Sequence, residues 1–323
     1  MPITNTLSQA KRSFNIFSKT TLLHKVLYFL AFLVAMGLML NFGRERVEGF
    51  EEPKTNLFKT TNTVPEIYDD FYATVYDELV FNKNKNDYEI GKWIENTRPD
   101  DNSVVLDIGS GTGHHVSSLK AHGYKAVGID ISSSMVKKAK ETYPDLNFKV
   151  GDVLNSGMFM EESFTHITCF YFTLYYIDNK KQFFENCMRW LTPGGFLAVH
   201  IVNRDKFDPI LPAGNPFNII SPQKYAKQRI TTTTVKFDEF EYKSNFLIKN
   251  TVESIEEPNA IMKETFKTFK NGNIRENEHK LYMLTQAEIL DIAKSTGFIL
   301  DSKIDMVDCQ YDSQYIYILQ KPT

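Results

Sequence analysis

"VVLDIGSGTGHH", residues 104–115, joins a run of branched apolar residues to an acid and to three glycines spaced by single residues. The apolar run predicts a buried strand ending near Asp107, and the residues after the glycines predict a helix. Gly109, Gly111 and Gly113 allow positive φ angles and let a ligand approach the backbone without meeting a Cβ atom. This turn therefore predicts a ligand site where a strand ends and a helix begins.

Strands and helices alternate on the carboxyl side of this turn. The pattern predicts further strands at 126–129, 148–150, 167–172 and 196–202. Helices are predicted between them, among them 114–122, 133–143 and 179–190. This spacing predicts an α/β fold with a doubly wound, mostly parallel sheet.

The segments on either side of this core have different patterns. Upstream, Pro65 opens a predicted helix with an aromatic stripe, followed by a second helix at about 86–97. Downstream, residues 205–284 predict an antiparallel β insert with a hairpin turn at 271–273. A capping box at Thr285 and Glu288 then predicts one more helix, followed by two final strands.

Two more acids stand at the ends of predicted strands. Asp130 ends the strand after the glycine turn, where a carboxylate can accept hydrogen bonds from both hydroxyls of a ribose. Asp152 ends the next strand and is placed to accept from an exocyclic amine such as that of adenine. The glycine spacing is GxGxG instead of GxGxxG, which disfavours the alternative of an NAD-dependent oxidoreductase.

These motifs resemble those of the class I S-adenosylmethionine-dependent methyltransferases. Residues 107–113 are similar to their DxGxGxG motif, and the "LTPGGFLAVHIV" segment to the turn into their fifth strand. The resemblance covers roughly residues 65–323 and implies a seven-stranded sheet with a reversed last strand. It also implies that Asp107, Gly109, Gly111, Gly113, Asp130 and Asp152 bind S-adenosylmethionine, with Asp107 near its ammonium group.

The acceptor side is less defined by the sequence. Candidate residues are Thr173, Tyr175 and Tyr176, which follow the fourth predicted strand, and Tyr72 in the aromatic helix. Packing in the core is the alternative for each aromatic residue. His114 and His115 have no further ligands at a suitable spacing, so we expect no metal site.

Composition limits the partners. The net charge of −3 conceals a +4 tail over residues 1–25, which leaves −7 for the rest of the chain. The negative charge of residues 26–323 argues against nucleic acid as the main partner.

The three cysteines have no zinc or disulfide spacing, which suggests that the catalytic domain lies in a reducing compartment. Oligomeric state is left open.

The N-terminal segment has a different character. Residues 26–43 are apolar over 18 positions, roughly 27 Å as a helix, and basic residues flank them. A cleaved signal peptide, a buried core helix and, for the start of the chain, an organelle presequence are the alternatives. We expect a basic tail at 1–25, a single transmembrane anchor at 26–43 and a linker at 44–64.

The sequence thus predicts a membrane-anchored, single-pass methyltransferase whose domain spans 65–323. Its acceptor is expected to be a small molecule or a membrane-associated, lipid-like compound. The insert at 205–284 is expected to cover the active site. A non-catalytic module that binds the cofactor as a scaffold at a membrane is the remaining alternative.

Overall fold

The computed structural model describes Thr21, Phe29, Leu30 and residues 57–209, 222–249 and 257–323, with the backbone alone described at 57–60, Pro222 and Lys224. The chain divides into two units, Met1–Lys54 and Thr55–Thr323. Within the described part of the chain, no helix is long and apolar enough to cross a membrane. Apart from Thr21, Phe29 and Leu30, the predicted tail, anchor and first part of the linker lie outside the described residues.

The second unit contains twelve described strands and eight described α-helices. The helices are α1 (Val64–Ile67), α2 (Asp70–Leu79), α3 (Lys83–Thr97), α4 (His114–Ala121), α5 (Ser133–Thr142), α6 (Thr173–Tyr176), α7 (Lys180–Trp190) and α8 (Gln286–Ser295). The strands are β1 (Leu57–Thr61), β2 (Val104–Ile108), β3 (Lys125–Asp130), β4 (Asn147–Val150), β5 (Phe164–Cys169), β6 (Leu191–Val202), β7 (Thr232–Lys236), β8 (Phe240–Ile248), β9 (Ala260–Thr268), β10 (Ile274–Leu281), β11 (Ile299–Asp305) and β12 (Gln314–Gln320).

Seven strands form the central sheet in the order β11-β12-β6-β5-β2-β3-β4. Strands β2 to β6 pair in parallel, whereas β12 pairs antiparallel with both β6 and β11. The predicted α/β fold with a reversed last strand is therefore confirmed. The order reverses direction at β2, so the crevice at the carboxyl ends of β2 and β5 is the topological switch point.

Alternate residues of the central strands face opposite helical layers. Leu106 and Leu197 belong to an apolar cluster that includes residues of α7 and α8. Their chain neighbours Val105 and Ala198 belong to a second cluster with Trp93 of α3. Because successive strand residues point to opposite faces, both faces of the sheet are covered. This explains why the strands are nearly uniformly apolar.

A second sheet is built from the predicted insert and has the order β1-β10-β9-β8-β7. Strands β7 to β10 are antiparallel, and the turn predicted at 271–273 joins β9 to β10. The outer strand β1 lies within the predicted linker and pairs in parallel with β10. The predicted linker is thus corrected at 57–61, which form a strand. Five mostly polar residues carry no periodic signal, and the strand conformation comes from pairing with a distant strand.

Two element boundaries also differ from the sequence pattern. The predicted helix from Pro65 is split into α1 and α2, because the side chain of Asp69 accepts a hydrogen bond from the N–H of Tyr72 and starts a new helix. Strand β5 ends at Cys169, before the predicted end at 172. Tyr171 adopts a positive φ of 51°, which turns the chain out of the sheet.

Candidate functional site

The glycine turn lies at the carboxyl end of β2. Gly109, Gly111 and Gly113 all have positive φ angles, of 69°, 52° and 93°. The backbone N–H groups of Gly109 and Ser110 both donate to the carbonyl of Ile129, at 2.8 and 2.9 Å. This pairing fixes the turn against the end of β3.

The three glycines are needed for different reasons. A Cβ at Gly109 would lie 2.3 Å from the side-chain oxygen of Thr173, and one at Gly113 would lie 2.7 Å from the ring of Phe148. At Gly111 the nearest atom would be a ring carbon of Tyr76 at 3.7 Å. Gly109 and Gly113 therefore permit close packing within the protein, whereas a Cβ at Gly111 would meet Tyr76 only at ordinary van der Waals distance and would lie beside a cavity.

The cavity that Gly111 lines has a volume of about 520 Å³ and lies between the carboxyl ends of the parallel strands and the insert sheet. Its lining includes Gly109, Gly111, Asp130 and Asp152 from the sequence-predicted cofactor set, and Tyr72, Thr173 and Tyr176 from the predicted acceptor set. A volume of this size is typical of small-molecule sites. The structure thus brings seven of the ten predicted residues to one cavity and leaves Asp107, Gly113 and Tyr175 outside its lining.

Asp130 connects β3 to the glycine turn. Its Oδ2 accepts the N–H of Gly111, and its Oδ1 accepts the N–H of Ser132, both at 2.9 Å. Burial raises the pKa of this carboxyl, and the two backbone hydrogen bonds oppose that rise. Each oxygen retains a second lone pair for a ligand hydroxyl. The residue thus orders the turn and faces the cavity at the same time.

Asp107 lies beneath the cavity and is not part of its lining. The residue is 1% exposed, and its Oδ1 accepts the hydroxyl of Thr168 at 2.7 Å. Its Oδ2 is buried without a hydrogen-bond partner. Burial raises the pKa of Asp107 to about 6, against the opposing effects of His115 and Thr168. An unsatisfied buried carboxylate oxygen is suited to a cationic ligand group.

Asp152 follows β4 and lines the rim of the cavity with Val153 and Leu154. Its Oδ1 accepts the N–H of Leu154 at 2.9 Å, which orients the carboxylate. A fixed acceptor beside apolar side chains can bind the amine edge of a flat aromatic base. The position agrees with the predicted role of this acid.

Tyr175 is the one predicted acceptor-side residue that does not reach the cavity. Its side chain is fully buried, and its hydroxyl accepts the N–H of Val202 at 2.8 Å. Its prediction as an acceptor-side residue is therefore wrong. The short helix α6 points successive side chains in different directions, so Thr173 and Tyr176 line the cavity while Tyr175 enters the core.

A polar cluster on the insert sheet was not foreseen. The carboxylate of Glu264 accepts hydrogen bonds from Tyr72 and Tyr242 on Oε1, at 3.0 and 2.7 Å. On Oε2 it is bonded to Asn277 at 3.2 Å and to His279 Nε2 at 2.6 Å. Burial favours the neutral acid, but His279 and these hydrogen bonds outweigh it and lower the pKa of Glu264. The group is an ionised carboxylate with four donors.

One signal for this cluster was present in the sequence. In the β10 segment "IRENEHKL", Arg275, Asn277 and His279 stand at alternate positions and are all buried. Alternation places these three polar side chains on one face of the strand. Charged residues occupy the intervening positions, so both faces of the strand are hydrophilic in sequence and the buried face cannot be identified from the pattern.

A second unforeseen group lies on α3. The ammonium of Lys85 is bonded to Glu89, whose other oxygen is 2.9 Å from His115 Nε2. Lys85 is 1% exposed, lines the cavity and lies 3.4 Å above the ring of Tyr171. Burial disfavours the carboxylate, but Lys85 and His115 lower the pKa of Glu89 to about 2. A lysine and a glutamate four residues apart are common on solvent-exposed helix faces, so the sequence did not indicate that Lys85 and Glu89 are buried.

Comparisons with known proteins agree with this geometry. Residues 105–195 match a family model described as a methyltransferase domain. A dTDP-4-amino-2,3,4,6-tetradeoxy-D-glucose N,N-dimethyltransferase of Saccharopolyspora spinosa is 27% identical over 139 residues, 41% of this chain and 55% of the relative. A phosphoethanolamine N-methyltransferase of Plasmodium falciparum is 33% identical over 144 residues, 41% of this chain and 52% of the relative. The chain spans about half the length of these curated relatives.

A solved S-adenosylmethionine-dependent methyltransferase from Clostridium acetobutylicum has the same fold. The TM-score is 0.58 at 18% identity, over 79% of this chain and 99% of that one. The turn, the strand-end acids and these matches lead to one conclusion. Residues 105–195 form a methyltransferase domain, and the fold around it is that of the S-adenosylmethionine-dependent methyltransferases.

Substitution of single glycines should distinguish the glycines that are needed for packing from the one that is needed for ligand binding. Gly123→Ala is the reference, because Gly123 has the same φ of 93° as Gly113 and nothing near its missing Cβ. We expect Gly123→Ala to cost about 1–2 kcal/mol of unfolding free energy, and Gly113→Ala to cost more because Phe148 must move. Gly111→Ala should resemble Gly123→Ala in urea unfolding yet lose S-adenosylmethionine binding in calorimetry. Wild-type affinity in Gly111→Ala would refute its assignment.

Asp107→Asn should make the ligand-free protein more stable at high pH. A pKa near 6, against about 4 in the unfolded chain, means that the carboxyl destabilises the fold increasingly as pH rises from about 4 through about 6. The uncharged variant avoids this cost, on the order of 2–3 kcal/mol at pH about 8. Urea unfolding should show that advantage at pH about 8 and none below pH about 4. No advantage at high pH would mean that Oδ2 has a partner.

Proposed function

We propose that this chain transfers a methyl group from S-adenosylmethionine to the nitrogen of a small amine. The observation that carries the proposal is the shared cavity. It places Gly111, Asp130 and Asp152 on one side and the polar wall of Tyr72, Tyr176 and Glu264 on the other. A volume of about 520 Å³ suits the cofactor with a small acceptor.

The lining favours an amine over an acceptor that carries mainly negative charge. Carboxylates outnumber lysines in the lining, with Asp130, Asp152, Asp178, Asp208 and Glu264 against Lys85 and Lys280. The Lys85 ammonium is already paired with Glu89. Aromatic faces complete the lining, and both carboxylates and aromatic faces attract a protonated amine. The two curated relatives named above carry N-methyltransferase names, which agrees with this choice.

The residues present fit the cofactor. The bare backbone of Gly111 accommodates its amino-acid end, and the orphaned oxygen of Asp107 suits its ammonium group. Asp130 would hold the ribose hydroxyls, and Asp152 would hold the adenine amine. When bound, the cofactor supplies an electrophilic methyl group on a sulfonium sulfur.

The chain itself positions the acceptor and excludes water. Tyr68 packs edge to face with Tyr72 and Tyr76, whose rings are tilted against each other; the ring centroids are 5.0–6.3 Å apart, and the three residues line the cavity. Thr173 packs against Gly109, so the acceptor wall and the glycine turn are in direct contact. Fixing the two reactants in line at this junction is the main contribution that a protein makes to such a transfer.

A non-catalytic scaffold is the second candidate function. It would need the cofactor residues but no polar groups on the opposite wall. The buried, four-donor carboxylate of Glu264 facing that wall favours catalysis, because such a group is costly unless it serves a purpose.

Cofactor binding and methyl transfer can be tested together. We expect the purified full chain to bind S-adenosylmethionine and not NAD in calorimetry. Asp130→Ala should weaken this binding at least tenfold, since each charge-assisted bond contributes roughly 1.5–3 kcal/mol. With radiolabelled cofactor, label should transfer to an amine in a panel of phosphoethanolamine, an aminodeoxysugar nucleotide, catechol and acetate. Binding without transfer to any compound in the panel or in a cell extract would favour the scaffold.

We further propose that residues 26–43 anchor the chain in a membrane, with the catalytic unit on a reducing side. The support is the 18-residue apolar run with its basic flanks. The three cysteines, Cys169, Cys187 and Cys309, are free, which suits a reducing compartment. A tether of this kind would raise the local concentration of the enzyme near a membrane-associated amine.

The anchor predicts different behaviour for two forms of the protein. A chain that begins at Thr55 keeps β1 and should be soluble and bind S-adenosylmethionine. The full chain should remain in the membrane fraction after a high-salt wash, because salt does not screen hydrophobic insertion. Release by salt would instead indicate a peripheral attachment through the basic residues of 1–25.

A further inference from the structure

Three side chains from separate elements form a hydrogen-bonded chain that starts at the cavity. The hydroxyl of Tyr176, on α6, is 2.7 Å from Nδ1 of His279, on β10. Nε2 of the same ring is 2.6 Å from Oε2 of Glu264, on β9. We call Tyr176, His279 and Glu264 the relay. Tyr176 and Glu264 line the cavity, whereas the His279 side chain is fully buried.

The donors and acceptors give the relay a direction. Glu264 is an ionised carboxylate and can only accept, so Nε2 of His279 carries a proton. In the neutral ring Nδ1 then has a free lone pair and accepts the hydroxyl proton of Tyr176. Tyr68 donates its own hydroxyl to Tyr176 at 3.0 Å. The proton of Tyr176 is therefore directed at His279, away from the cavity.

The surroundings of His279 keep this arrangement in place. Its ring is packed against Tyr68 and Tyr72 at centroid distances of 6.0 and 6.1 Å, and against Tyr176 at 5.9 Å. Glu264 is the charged group that contacts it. Burial raises the pKa of Tyr176 above its ordinary value, so this residue remains a neutral phenol that can pass a proton on.

The relay also lies close to the cofactor side. Helix α6 carries Thr173, which packs on Gly109, and Tyr176 three residues later. The ring of Tyr76 lies next to Gly111. The centroid of the Tyr68 ring is 6.3 Å from that of Tyr76 and 5.9 Å from that of Tyr176. Gly111 and Tyr176 line the same cavity, in which the proposed function places the acceptor.

We propose that the relay removes the proton from the acceptor amine during methyl transfer, an inference that rests on the proposed function. The bound ammonium first gives a proton to the Tyr176 oxygen as the Tyr176 proton moves to Nδ1 of His279, which frees the lone pair of the nitrogen. That lone pair forms the nitrogen–carbon bond as the methyl–sulfur bond breaks, and the electron pair of the broken bond stays on sulfur. The product is an imidazolium held by the Glu264 carboxylate. Tyr176 is the catalytic residue, and His279 and Glu264 are positioning residues that act through it.

Two variants interrupt the relay at different points. Tyr176→Phe removes the proton carrier, and His279→Gln keeps a donor toward Glu264 but removes the accepting nitrogen. With the amine that the panel identifies, we expect kcat to fall about 100-fold in each, with KM and S-adenosylmethionine affinity unchanged. Tyr143→Phe is the matched control, because Tyr143 is bonded to His114 Nδ1 at 2.9 Å outside the cavity lining. This control should retain the wild-type kcat.

The pH dependence distinguishes proton removal from a structural role. Raising the pH deprotonates the free amine in solution, so the rates of both relay variants should recover toward wild type. A defect of packing would persist at every pH. Wild-type kcat in Tyr176→Phe, or a defect that high pH does not relieve, would overturn the proposal.

A spectroscopic test needs no acceptor. Nitrogen-15 long-range correlation spectra of histidine-labelled protein, assigned with His279→Gln, should show that the neutral ring of His279 carries its proton on Nε2 and not on Nδ1. Protonation on Nδ1 would refute the relay even if transfer occurs. Failure of the wild-type chain to bind S-adenosylmethionine would instead refute the proposed function, so the two failures are distinguishable.

Discussion

The pairing of the glycine turn with the end of β3 is the constraint on which the site depends. Two N–H groups of the turn share the carbonyl of Ile129, and a third, from Gly111, bonds to Asp130. This arrangement requires positive φ at three positions and thus excludes side chains there. Because the turn is fixed on its neighbouring strand, the start of α4, the ribose-side acid and the open backbone are held in one geometry.

The insert sheet provides the wall of the cavity that faces the carboxyl ends of the parallel strands. The carboxyl ends of parallel strands offer acids and backbone groups, but the opposite wall must come from elsewhere. Strands β8 to β10 bring Tyr242, Glu264 and His279 to that wall, and β1 extends the same sheet. Arg275 on β10 binds both oxygens of Asp69, the cap of α2, so the aromatic helix is tied to the insert. The cavity is therefore closed by two elements that hold each other in place.

Much of the central fold could be read from local patterns. Apolar runs at 104–108 and 126–129 predicted buried strands, and Thr285 with Glu288 predicted a helix start that the structure confirms. Each signal depends on neighbours within a few residues. The boundaries that were wrong depend on distant partners. β1 exists because β10 lies beside it, and β5 ends early because Tyr171 turns out of the sheet.

The sequence by itself determined the parallel sheet, the glycine turn and the acids at its strand ends, because strand periodicity and glycine spacing are local properties. Only the tertiary structure decided which side chains share the cavity. Tyr175 and Tyr176 are chain neighbours, yet one enters the core and the other meets His279, 103 residues away. Asp107 ends beneath the cavity with an unsatisfied oxygen, which no spacing could reveal. Burial and long-range hydrogen bonding arise from packing, and one strand or helix does not encode them alone.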